Sequence, residues 1–124
     1  MRVSVAHLQP GARAIAASFV ISGSAHLLRP QVFDPLMPPQ LPAPRTWIAA
    51  TGVAELVSAG GLIAGARWAP AAATATLLVV WPGNWWYAIR VSRSRAPAAA
   101  KAAAWLRVPL QIPMLAAVRQ PYRD

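Results

Sequence analysis

The chain has 124 residues, room for one domain and little more. It is 56% apolar and only 12% charged, against roughly 25% charged residues in ordinary soluble domains, which argues against a soluble helical fold with polar outer faces. The net charge of +9 comes largely from arginines lying between apolar runs, a pattern that suits phospholipid headgroups rather than nucleic acid, and the lack of cysteine excludes disulfides and thiolate chemistry within the chain.

Taken in order, the first apolar run, 12–28 (ARAIAASFVISGSAHLL), predicts a helix ended by Arg29-Pro30. Arg2 and Arg13 ahead of an apolar stretch with small residues near 22–25 also match a signal peptide. A retained helix is the expectation, because the later runs need a partner. Residues 29–45 (RPQVFDPLMPPQLPAPR) carry prolines at 30, 35, 38, 39, 42 and 44, which forbid a regular helix across the whole segment. Turns and polyproline-like pieces at a membrane surface are expected there. The second run, 46–66, is close to the roughly 20 residues that cross a bilayer. The third, 70–89, opens with proline in its first turn, where a missing N–H costs nothing. A polar connector, 90–97, leads to the fourth run, 98–118, the least apolar, with Lys101, Arg107, Gln111, Pro109 and Pro113.

Four helices with short connections predict an all-α fold: one domain over 1–124, a four-transmembrane-helix up-down bundle with both termini on one side. Arginines divide almost evenly between its two ends, so charge does not orient it. Trp47, Trp81, Trp85, Trp86 and Tyr87 fall at one end, as an aromatic belt does.

Against this apolar background a few polar residues stand out. Glu55 is one of only three acidic residues and lies in the middle of the second run. A carboxylate at a bilayer centre costs roughly 2.5–3.5 kcal/mol, so it needs a partner or a proton. Arg107 is the expected partner, since both residues fall about 13 Å into their helices from the same end at about 1.5 Å per residue. Glu55 shares its face with Thr51, Gly52, Ser58 and Ala59, and Arg107 with Ala100, Ala103, Ala104 and Gln111, mostly small residues that let helices approach. His26, one turn beyond Ser22, and Asn84, beside Pro82-Gly83, lie toward the same end. The expected site is therefore a polar pocket of His26, Glu55, Asn84, Arg107 and Gln111. The same set also suits a plain helix-registering ion pair with hydrogen-bonding companions. Neither a catalytic triad nor a metal-ligand cluster is present, so no catalytic residue and no metal is assigned.

With these residues in view, the chain resembles the DoxX-like family of small four-helix membrane proteins. The resemblance rests on Gly23 with His26 and Arg29-Pro30, the Gly52-x-x-Glu55 step, Pro82 with Asn84, and Arg107-x-Pro109-Leu110-Gln111. It implies a non-catalytic membrane subunit that docks a redox enzyme or links it to the quinone pool, with a quinone headgroup in the polar pocket. In that role Arg107, Gln111 or Asn84 would bond its carbonyl oxygens and Glu55 or His26 would handle protons. Related proteins carry cysteines that this chain lacks, so thiol transfer is not carried over. The Ala-, Arg- and Pro-rich usage suits a GC-rich bacterial genome and hence an inner-membrane, multi-pass location, as a monomer or homo-oligomer. The alternative expectation is a small proton-linked transporter with Glu55 and Arg107 as its intramembrane site.

Overall fold

The computed structural model describes residues 5–124. Its long helices are α1 (Pro10–Leu28), α2 (Pro44–Ala64), α3 (Ala69–Ser92) and α4 (Ala98–Arg119), with a 3-10 helix, Pro30–Leu36, between the first two. Among the described residues the fold is all-helical, apart from one isolated antiparallel bridge between Leu8 and Tyr122. Proline marks every start: it lies in the first two positions of α1, α2 and α3, and Pro97 directly precedes α4. The 3-10 helix refines the expectation of irregular turns for 29–45. The prolines do block an α-helix, but Val32 N–H to Arg29 O (3.1 Å) and Met37 N–H to Asp34 O (3.1 Å) close tighter turns that avoid them. Ala43 takes a left-handed φ of 50°, away from the extended region that a residue before proline favours, and makes a sharp entry into α2.

α1, α2 and α3 begin one or two residues before the expected positions, and two C-terminal ends differ from the sequence reading by two residues or more. α2 stops at Ala64, two residues before the expected 66, because Gly65 adopts φ 73° and Ala66 N–H turns back to Gly61 O at 2.8 Å. α3 continues three residues past the expected 89, since no breaker occurs before Pro97.

Helices adjacent in sequence pack together and α4 closes back on α1, while the diagonal pairs α1/α3 and α2/α4 do not touch. At the end holding the α2–α3 turn, all four helices contribute to one core: Ala12, Ile15, Ala16 and Phe19, Ala59 and Leu62, Ala69, Ala73 and Leu77, and Val118, with Leu8. The flanking segments are sewn onto this end. Gln9 N–H donates to Pro121 O (2.7 Å), Arg123 N–H to His7 O (2.7 Å), and the Tyr122 hydroxyl to Ala66 O (2.6 Å). Burial raises the Tyr122 pKa above the usual tyrosine range.

At the opposite end the packing is pairwise only. α3 and α4 share a small cluster of Ala88, Val91, Ala104 and Val108. α1 and α2 meet at Gly23 and Gly52, where a Cβ built on Gly52 would lie 2.6 Å from His26 Cβ. The two pairs, joined firmly at one end, thus leave a space between them at the other.

Large apolar residues also point outward on every helix, among them Ile21 (72% exposed), Leu28, Val53, Val57, Val79, Leu106 (65%) and Ile112. The interior mixes alanine and glycine with larger apolar residues such as Ile15, Phe19, Ile48, Leu62 and Leu77, and it also buries His26, Glu55, Ser58, Thr76 and Gln111. α1 and α2 are long and apolar enough to cross a membrane by length and composition.

Candidate functional site

The space between the two helix pairs is a cavity of about 440 Å³, and all five polar residues singled out from the sequence line it: His26 from α1, Glu55 from α2, Asn84 from α3, Arg107 and Gln111 from α4. The rest of the lining is mostly apolar, with Phe19, Ile48, Leu77, Val80, Leu110 and Met114, and adds the hydroxyls of Ser18, Ser22, Thr51 and Thr76. The 3-10 helix and the loop after it roof the polar end through Phe33, Leu36, Met37, Pro38 and Leu41.

The glycine crossing accounts for the central feature. Gly23 and Gly52 each stand one helical turn before a polar residue, His26 and Glu55, on the same helix face. With no side chain at either crossing point, the backbones close until a Cβ on Gly23 would lie 2.8 Å from Gly52 O. That approach delivers His26 Nδ1 to 3.5 Å from Glu55 Oε1, with both residues buried. Ser22 completes the group: its carbonyl accepts from His26 Nδ1 at 2.6 Å, and its hydroxyl bonds the Glu55 carboxylate. Phe33 of the roof stacks on the imidazole, with ring centroids 3.7 Å apart and planes 21° from parallel.

The expected Glu55–Arg107 pair is not formed. Glu55 pairs with His26, and Arg107 is exposed at the cavity's edge with no ion pair among the described residues. α2 and α4 are diagonal neighbours that do not touch, so equal depth leaves the cavity between the two residues.

Gln111 also has a structural partner. It lines the cavity, but its Nε2 donates to Leu77 O on α3 at 2.6 Å, and Trp81 Nε1 of α3 donates to Val108 O on α4 at 2.9 Å. The two bonds cross-link α3 and α4 and fix that wall, and the Gln111 carbonyl oxygen remains the amide's acceptor. Trp81 is therefore a clasp between helices, whereas Trp47 and Trp85 are exposed.

Sequence reasoning did not find the roof. Phe33 sits over His26, and the roof is held by two arginines: Arg45 bonds both Asp34 oxygens (Nε 3.1 Å, Nη2 3.0 Å), and Arg90 Nη1 donates to Pro35 O at 3.2 Å. The signal lay in the shared segment: Asp34 is the one acid in the 29–45 stretch, eleven residues before Arg45. Among the described residues no group of three or more His, Asp or Glu side chains gathers to hold a metal ion.

No curated protein and no solved structure matches the chain. A family model described as a domain of unknown function (DUF8561) matches residues 15–120, a stretch that includes every cavity residue named above, and the chain belongs to that family.

Proposed function

We propose that the protein is a four-span integral membrane protein of the DoxX-like type, resident in a bacterial inner membrane. In this reading it is a non-catalytic subunit or docking partner of a redox system, and its cavity binds a quinone headgroup. The observation that carries the proposal is the cavity itself, where polar side chains from four helices converge within apolar walls.

The four-span reading draws support from the outward apolar faces of α3 and α4, with Leu78, Val79 and Ile89 on one and Leu106, Leu110 and Ile112 on the other. At 24 and 22 residues these helices reach about 36 and 33 Å, enough for a hydrocarbon core of about 30 Å.

The residues suit the ligand. A volume of about 440 Å³ lies in the range of small-molecule sites, roughly 300–1,000 Å³. A quinone, when bound, carries electrons and protons between the lipid phase and an enzyme. The Arg107 guanidinium and the Asn84 amide supply donors for its carbonyl oxygens, Gln111 offers an acceptor, and the His26–Glu55 pair holds a proton beside them. Support for binding over passage comes from the core beneath the cavity, where all four helices close around Leu62, Leu77 and Val118, each almost wholly buried.

The test is decylubiquinone binding to the protein in lipid nanodiscs, followed by quenching of tryptophan emission. Arg107→Ala and Asn84→Ala are each expected to weaken binding about tenfold, the loss of one hydrogen bond to the ligand. Equal affinity in both folded variants would remove the quinone reading, and proton flux through vesicles would move the chain to the transporter class.

A further inference from the structure

The roof over the cavity is incomplete on one side. The 3-10 helix packs on α1, α2 and α3 and does not touch α4. The lining on the α1–α4 flank, away from the 3-10 helix, reaches the outer surface, as it also does at Trp47 of α2 and Val79 of α3.

Helical periodicity shows how that flank opens. Near the sewn end, a Cβ on Gly11 of α1 would lie 3.2 Å from Ala117 Cβ of α4, so these residues face each other. Repeats of three and four carry the facing stripes to Ser18 and Ser22 on α1, and to Met114, Leu110 and Arg107 on α4. At about 1.5 Å per residue, Ser18 and Leu110 both lie about 10 Å beyond the Gly11/Ala117 contact, and Ser22 and Arg107 about 15–16 Å beyond it. All of these stripe residues line the cavity. Ser18, Leu110 and Arg107 are also exposed, Leu110 at 48%. The helices that touch at Gly11 and Ala117 have thus parted into a slot.

The rim of this slot is mixed in a graded way. Its lower lip sets the small Ser18 against the apolar Leu110 and Met114. Its upper lip carries Arg107 opposite Ser22, next to the His26–Glu55 pair. The roofed end, by contrast, is covered over α1, α2 and α3 by a ring stacked on His26 and is held by Asp34–Arg45 and Arg90–Pro35. We infer that the cavity's ligand enters sideways from the bilayer through the slot between Ser18 and Ser22 of α1 and Leu110 and Arg107 of α4. Its class is accordingly a lipid-soluble molecule with an apolar body and a hydrogen-bonding head, and its head travels along the α4 stripe to Arg107. This inference rests on the membrane reading above and adds the route and the ligand's solubility class to it.

The experiment is stopped-flow association of decylubiquinone with the protein in nanodiscs. Ser18→Phe fills the slot from an exposed position and is expected to slow association by about tenfold or more, while Leu110→Ala widens it and speeds association. Asp34→Asn loosens the roof and is expected to leave the rate within about twofold of the parent. A rate that rises in Asp34→Asn and ignores both slot variants would overturn the sideways route. Slowing in both Ser18→Phe and Leu110→Ala, with circular dichroism showing both folded, would overturn it too, because widening the slot would then fail to ease entry. If the parent chain binds no decylubiquinone while circular dichroism shows it folded, the quinone reading fails as well; if it binds and only the variant pattern is wrong, the route alone fails.

Discussion

Adding one methyl group at Gly52 sets the clearest demand on the fold. A Cβ there would lie 2.6 Å from His26 Cβ and 3.0 Å from Gly23 O, whereas carbon atoms at ease sit about 3.5–4.0 Å apart. Neither neighbour is a flexible side-chain tip, so α1 and α2 must separate by about 1 Å. The 3.5 Å His26–Glu55 contact then lengthens and weakens. Overpacking of this kind costs about 1–3 kcal/mol. Gly60, on the same helix, is the control: a Cβ there meets nothing within 4 Å, and Gly60→Ala is expected to stabilise by about 0.5–1 kcal/mol through helix propensity alone. Reversible denaturation in mixed micelles measures both changes, and the opposite signs are the point. Gly52→Ala as stable as the parent, or both substitutions shifting stability equally, would refute the glycine-crossing argument.

Other substitutions test separate parts of the structure. Trp81→Phe removes the bond to Val108 O and is expected to cost about 1 kcal/mol, with Gln111→Leu costing a similar amount, read in the same denaturation assay. The indole Nε1 of Trp86 is buried with no hydrogen-bond partner, so Trp86→Phe is expected to cost far less than the 3–5 kcal/mol typical of losing a buried aromatic outright; a loss of that size would show that the indole N–H is satisfied. Tyr122 tests pH dependence at the sewn end. Its pKa is raised, so its contribution is fully present below the ordinary tyrosine value of 10.0 and is lost as pH climbs through the higher folded value. Tyr122→Phe is expected to lose about 0.5–1.5 kcal/mol at neutral pH with the Ala66 bond, and to show a shallower alkaline decline than the parent in melts across that range.

Much of the architecture could be read from the chain because proline and glycine punctuate it so heavily. Prolines 10, 44, 70 and 97 stand at or just before the four helix starts, and Gly65 ends α2. The membership of the polar pocket could be read as well, since in a chain this apolar each ionisable or amide group inside a run stands out, and all five line one cavity. The pairing within the pocket could not. Depth along a helix follows from counting residues, but adjacency around the bundle depends on which helices touch, and α2 touches α1 and α3 rather than α4. One clue was available in the matched spacings Gly23-x-x-His26 and Gly52-x-x-Glu55, which place two bare backbone positions one turn from two polar groups. The roof was hidden for a different reason. Residues 29–45 read as an irregular connector, and nothing in proline content shows that Phe33 turns inward onto His26 while Asp34 turns outward to Arg45.

The central claim, that the cavity between the helix pairs is a ligand site rather than a by-product of helix registration, meets its most direct test in native mass spectrometry. The protein would be released gently from its own membrane, beside Glu55→Gln and Arg107→Ala. One lipid-soluble small molecule held per chain, and lost or sharply reduced in the two variants, is the expected result. A chain that carries no small molecule, or one retained equally by both variants, would contradict the account and leave His26 and Glu55 as a structural pair.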